Sequence, residues 1–490
     1  MLPLYITFAL YLAVMVCIGL RSMESKGCVS HYVLGGRSLG SWVTAFSAQA
    51  SDMSGWLLMG VPGVVYISGL CNIWVAVGLT VGTLLNWVFI SSRLRVYTEI
   101  TGSLTLSSFF SKRFHERGGM LRILAAFITL MFFTIYAGSG LVAAGKLFDS
   151  MFHIDYRAAV LAGSAVILAY TLTGGYQAVC KTDFIQGALM FAALIVVPLV
   201  ACFHVPAGEF SRAAGERGVS LGLLPEGSGF GPLLAVVSMS AWGIGYFGQP
   251  HILTRFMSIR SHRELPKAAK IAMAWVVVSL CMSVAIGLVA IPVYSDPVLS
   301  PSDSEKVFIR MSMEFFNPWI AGVLLAAILA AVMSTIDSQL LASSTTLAED
   351  FYKVVLRKRA SERELMAVNR SFVAIITAAA CVLALNPSET IFSLVTFAWG
   401  GFGAAFGPVV VMSLYSRRMT WQAALCGMLA GTAAMLLWYF AGLGKYLYEI
   451  LPGFAAGVCA IWAVNRMLPQ RNARVLAEFD SMLAAVRRGG

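Results

Sequence analysis

At 490 residues, 58% of them hydrophobic and only 12% charged, with a mean hydropathy of +0.78, the chain has more apolar surface than a soluble fold of this length buries, and it reads as a polytopic membrane protein. The net charge of +11 does not indicate nucleic acid, because the basic residues are scattered between apolar runs rather than gathered on one patch. The nine cysteines lie far apart with no Cys-x-x-Cys pair, so neither a disulfide framework nor a metal cluster is indicated.

A bilayer core takes about 20 apolar residues per helix. That length divides the chain into thirteen spans, at 2–20, 38–67, 69–92, 120–148, 156–176, 183–204, 229–250, 268–293, 317–350, 367–386, 390–415, 420–442 and 446–465. The first begins at Leu2 with no basic stretch before it, which marks a retained helix rather than a cleaved signal peptide. Alternating the segments between the two sides puts 28 of the 35 Lys and Arg residues on one side and seven on the other. That bias predicts a multi-pass cell-membrane protein with its N-terminus outside and its C-terminus cytoplasmic. The segments 205–228 and 294–316 read as outside loops, and the tail 468–490 is too short for a soluble domain, which excludes a fused enzyme or sensor kinase.

In chain order, the first span of chemical interest holds Ser47-Ala-Gln-Ala-Ser-Asp-Met-Ser-Gly-Trp56. A polar, glycine-containing patch centred on Asp52 is tolerated inside a bilayer only where it faces protein or a water-filled cavity. Small residues here allow the backbone to unwind toward a ligand; packing of two close helices explains the small residues but not Asp52. Asp183, in Lys181-Thr-Asp-Phe-Ile-Gln186, stands at the entry of the sixth span. The seventh span reads Met239-Ser-Ala-Trp-Gly-Ile-Gly-Tyr-Phe-Gly-Gln-Pro250 and is interrupted by three glycines and a proline. Two interrupted spans, each opening a group of five, predict an inverted repeat over 38–204 and 229–415, with one extra helix before it (2–20) and two after (420–465). The ninth span places Ala331, Ser334, Thr335 and Ser338 on one helical stripe beside Asp337. Hydroxyl oxygens on one face suit a hard cation; the plainer reading is that they bond back to carbonyls one turn earlier.

These segments, with Leu34-Gly-Gly-Arg-Ser-Leu39, Phe132-Phe-Thr-Ile-Tyr136, Gly245 to Leu253, Ala326 to Leu341 and Phe397 to Pro408, resemble the sodium/solute symporter family, and within it the proline-transporting branch. The resemblance covers nearly the whole chain and implies an all-α, leucine-transporter-like core of two inverted five-helix repeats. It implies symport of proline with Na+ by alternating access, with another small amino acid or carboxylate as the alternative cargo. Carried over by position, the carbonyls of Ala50, Met53 and Ala331 and the hydroxyls of Ser334 and Thr335 would hold the sodium ion, with Asp52 supporting it. Proline would lie against Ser54, Gly55, Trp56, Tyr136, Trp242, Tyr246 and Pro250, and Arg37 would belong to the inner gate. Asp183, Asp337 and Ser338 would form a second cation or proton position, where Asp337 departs from the family's small hydroxyl residue and adds a charge; the alternative is that Asp337 faces cytoplasmic water or caps a neighbouring helix.

The residues agree with that reading on their own terms. A zwitterion needs a polar cradle, which an unwound helix end supplies, and an apolar slot, which Trp56, Trp242 and Tyr246 supply. A membrane enzyme would need a nucleophile with its base, or a metal cluster, and the six histidines show no ligand spacing. A channel would need a continuous pore, for which two broken helices around one site are the wrong design. The partners expected are the bilayer, sodium and the small-molecule cargo; neither nucleic acid nor an obligate protein partner is indicated.

Overall fold

Backbone groups inside a bilayer must find partners within the chain, and here they do so by forming helices. The computed structural model describes residues 2–21, 29–173, 175–206, 208–296, 298–386 and 389–489; Lys26 and Cys28 of the sequence reading lie outside them. Among the described residues there is no strand, only an isolated parallel bridge between Leu39 and Ile259.

The long helices are α1 (Leu2–Arg21), α2 (Ser41–Asp52), α3 (Trp56–Ser68), α4 (Leu70–Ile100), α5 (Met120–Phe152), α6 (Tyr156–Thr173), α7 (Tyr176–Phe203) and α8 (Gly231–Gly248). They continue as α9 (Pro250–Ser258), α10 (His262–Val293), α11 (Pro318–Leu356), α12 (Glu362–Ala384), α13 (Ile391–Tyr415), α14 (Trp421–Phe440), α15 (Ile450–Met467) and α16 (Ala473–Gly489). Ten of the described helices are long and apolar enough to cross a membrane, and Leu2–Ile18, Trp56–Ser68 and Tyr156–Leu172 are shorter apolar helices.

The centre of the bundle is α11. Every residue from Leu324 to Leu341 is buried, so the Ser and Thr positions on this helix face protein on all sides. It packs against α5, α7, α1 and α2. The periphery carries exposed large apolar side chains such as Phe127, Leu161, Phe203, Leu437 and Trp462, the expected lipid-facing surface. Helix α4 meets α8 at unusually short range through Gly78 and Gly82: a Cβ on either would lie 2.2 Å from a backbone carbonyl oxygen of α8, that of Ser240 or Gly243. Only glycine permits that approach.

Several boundaries differ from the sequence reading. Helix α7 starts at Tyr176, which places Asp183 two turns inside it rather than at its entry. The seventh span continues past Pro250 as α9, so Arg255, read as a loop cation, lies inside the protein at 1% exposure. The third span extends to Ile100. The segments 205–228 and 294–316 hold short helices at Glu209–Glu216, Pro301–Ser304 and Val307–Phe315, and the tail folds as α16 with Phe479 edge-on to Tyr97 of α4.

Candidate functional site

The break between α2 and α3 redirects the backbone. Met53 has φ −87° and ψ 85°, outside the helical region. The Ser54 amide therefore donates to the Asp52 carbonyl at 3.1 Å instead of to Ala50, and the Leu57 amide donates to Ser54 at 3.0 Å instead of to Met53. This removes the carbonyls of Ala50 and Met53 from the helical hydrogen-bond ladder. The Ala50 carbonyl instead accepts hydroxyl donors from α11, Ser334 Oγ at 2.7 Å and Thr335 Oγ1 at 3.3 Å. Ser334 Oγ also lies 3.2 Å from the Ala331 carbonyl. Four of the five expected ligand residues thus meet at one point, with the carbonyl of the fifth, Met53, released on the same bend. All are buried, and an all-oxygen donor set matches a hard monovalent cation.

Asp52 ends α2 at 0% exposure. Tyr246 Oη donates to its Oδ2 at 2.6 Å, whereas its Oδ1 has no protein partner. The Asp52 carbonyl accepts from Tyr136 Oη and Trp56 Nε1, each at 3.1 Å. The broken helices are joined in this way: Tyr246 belongs to a 3-10 segment, Ala241–Gly248, that ends at Gln249 with ψ 107°. Proline restarts the helix at the position where a missing amide costs nothing. Trp56 and Trp242 face each other at 5.9 Å between centroids, and Trp242 stacks on Trp399, whose Nε1 donates to the Trp242 carbonyl at 2.7 Å. Tyr246 meets Trp399 edge-on at 5.0 Å. Trp242 also opens onto a cavity of about 470 Å³ with Phe392 and Tyr448. Pro250 lines a different pocket, with Thr254, Arg255 and Ser338, toward the basic end of the bundle. Ser54 Oγ is buried without a protein partner. Gly55 is a packing position, since a Cβ there would lie 2.7 Å from Ala143 Cβ.

Arg255 supplies what the sequence reading missed at the second cation position. Its Nη2 donates to Asp183 Oδ2 at 3.1 Å and to Ser338 Oγ at 2.5 Å, and its Nε donates to Ser47 Oγ at 3.1 Å. Ser47 in turn donates to Asp183 Oδ2 at 2.6 Å. Asp337 turns to α6, where the Thr171 hydroxyl donates to its Oδ1. Also unanticipated were Gln249, His251 and Gln339, all buried with side-chain atoms that lack protein partners. The signal for Arg255 and His251 was present: a proline that starts a helix places the next residues inside it.

Arg37, at φ +56°, closes the basic end. Its Nη1 donates to the Met257 carbonyl at 2.7 Å, and its Nη2 to the Thr98 and Ser103 carbonyls at 3.0 and 2.9 Å. Burial, with the neighbouring Arg95 cation, pushes its pKa down to about 10, so it stays charged at neutral pH. At the opposite end, Lys146 of α5 donates to Glu305 Oε2 at 2.6 Å, and Glu305 accepts the Ile391 and Phe392 amides at the start of α13, both at 3.1 Å.

Residues 32–431 match the sodium:solute symporter family. The chain belongs to that family. Its relatives in it include a sodium/proline symporter of Escherichia coli (strain K12), 45% identical over 466 residues and covering 94% of this chain and 92% of the relative. A high-affinity proline transporter of Bacillus subtilis (strain 168) is 44% identical, covering 95% and 98%. Among solved structures, a Na+-coupled sialic acid symporter in a substrate-bound outward-open state superposes with a TM-score of 0.81 at 18% identity, over 96% of this chain and 99% of that one. That likeness is one of fold, over nearly the full length of both chains.

Proposed function

We propose that the protein takes up L-proline together with sodium by alternating access. The observation that carries this reading is the meeting of the Ala50 carbonyl with Ser334 and Thr335, beside an aromatic slot bound to Asp52. The names of the relatives supply the cargo. Sodium occupies the oxygen cluster of Ala50, Met53, Ala331, Ser334 and Thr335, and Asp52 adds its charge. Proline lies against Ser54, Trp56, Tyr136, Trp242, Tyr246 and Pro250, with Gly55 letting α5 approach. Sodium fixes the bend that carries Asp52, and Asp52 fixes Tyr246 and Trp56, so each solute prepares the site of the other.

The finer architecture belongs to the same reading. Thirteen spans form two inverted five-helix repeats over 38–204 and 229–415, the N-terminus is outside, and α16 is cytoplasmic. The contacts of Arg37, Arg95 and Arg113, which gather basic loops at one end of the bundle, support this orientation. Arg37 then holds the cytoplasmic gate and Glu305 the outer one. At the second position, Arg255 is the cation between Asp183 and Ser338, and a solute ion enters there only when the guanidinium moves away.

Labelled-proline uptake into proteoliposomes tests the proposal. An inward sodium gradient is expected to drive accumulation above the outside concentration. Equal uptake with potassium in place of sodium would refute coupling, and failure of excess unlabelled proline to compete would refute the cargo.

A further inference from the structure

At the basic end, the tail helix and the α4–α5 connection enclose a cavity of about 720 Å³. Its walls carry four permanent cations, Lys112, Arg117, Arg122 and Arg474, against two carboxylates, Glu116 and Glu478. Glu478 is engaged by His115 Nε2 at 2.9 Å, and Glu116 accepts from Ser111 and the Met120 amide, both at 3.4 Å. The cations are less well served. Among the described residues, neither Arg117 nor Arg474 has a carboxylate within ion-pairing distance. Arg122 has Asp350 at 3.9 Å, and its Nε is buried without an acceptor. Burial and then the Arg122 cation push Lys112 below its usual pKa, with Asp350 and Glu349 opposing; Lys112 Nζ also donates to the Gly102 carbonyl at 2.6 Å. Asn472 and Ala473, where α16 begins, complete the wall, and a helix N-terminus favours an anion.

The geometry points to a binding site for a phosphate-bearing anion in this cavity, the headgroup of an anionic lipid or a free phosphate. Several cations converging on one concavity, two of them, Arg117 and Arg474, without a carboxylate partner among the described residues, suit a multi-oxygen anion. The site sits on the segment that holds the gate. Ile100 and Thr101 line it, while Thr98 and Ser103 next to them accept the hydrogen bonds of Arg37. An anion binding α16 to this segment stiffens the frame against which Arg37 closes. This role rests on the transport function proposed above, but the site itself does not.

The test uses the full chain, stripped of lipid, as wild type and as the double variant Arg117→Gln/Arg474→Gln. Both arginines are exposed, and sodium-dependent proline binding confirms that the variant is folded. Native mass spectrometry then compares retention of phosphatidylglycerol with that of phosphatidylcholine, and a thermal-shift titration uses inorganic pyrophosphate. Wild type is expected to retain phosphatidylglycerol selectively, or to be stabilised by pyrophosphate, and loss of the two arginines to weaken that binding about thirtyfold. Lipid retention alone assigns a headgroup, and pyrophosphate stabilisation alone assigns a soluble phosphate. Equal binding of both lipids, with no pyrophosphate shift or with the same shift in the variant, overturns the site. Binding is read without transport, so failure here leaves the symport proposal standing.

Discussion

Asp52 has one carboxylate oxygen held by Tyr246 and one without a protein partner. Asp52→Asn keeps the shape and removes the charge. A full charge a few ångströms from a cation is worth about 2–4 kcal/mol at an effective dielectric near 20. The sodium concentration for half-maximal proline uptake is therefore expected to rise by at least about tenfold, and an unchanged sodium titration would refute the assignment. Ser334→Ala and Thr335→Ala each remove one oxygen from the cluster at Ala50, and a lost hydrogen-bond-type contact to a charge costs about 1.5–3 kcal/mol. Each should raise the sodium requirement and, because coupling is reciprocal, weaken proline binding at fixed sodium. Isothermal titration of proline at several sodium concentrations reads both effects, and a proline affinity independent of sodium in wild type would contradict the linkage. Trp242→Ala removes a buried indole that faces Trp56 and is expected to cost about one to two decades of proline affinity while sodium binding changes less. Equal losses of both affinities would place Trp242 outside the cargo site.

At the scale of the element, the breaks at Met53 and Gln249 were legible because polar and helix-breaking residues inside an apolar run have few structural uses. The oxygen stripe of α11 was legible from helical periodicity alone. What periodicity cannot reveal is which far segment meets a face, and so Arg255, counted as a loop cation, was not linked to Asp183. The same limit hid Thr171 as the partner of Asp337, because hydroxyls on apolar helices usually bond their own backbone. The close approach of α4 and α8 was written as Gly78-Leu-Thr-Val-Gly82, a small-xxx-small pattern whose partner helix only the fold identifies. Gly82→Ala sets a methyl group against the Gly243 carbonyl and should destabilise the protein by about 1–3 kcal/mol through overpacking. A lowered melting temperature in detergent checks this, and a wild-type value would show that α8 yields.

For the molecule as a whole, the proposed coupling depends on two closures that do not open together, Arg37 across the basic end and Glu305 across the other. The sodium-to-proline ratio tests what lies between them. With Arg255 already serving Asp183 and Ser338, one sodium ion per proline is expected from reversal potentials in proteoliposomes, unchanged in Asp337→Ser. A ratio of two would mean that a solute ion displaces the guanidinium. The pairing of Arg255 with Asp183 also has an electrical meaning. Moving one elementary charge through 100 mV of membrane potential is worth about 2.3 kcal/mol, but two opposite charges that travel as a neutral unit feel almost none of it. The helices bearing this pair can therefore rearrange with little work done by the resting voltage. This pair then adds little of its own to the current of the cycle, until Asp183→Asn leaves the guanidinium uncompensated and turns its movement into a voltage-sensing step.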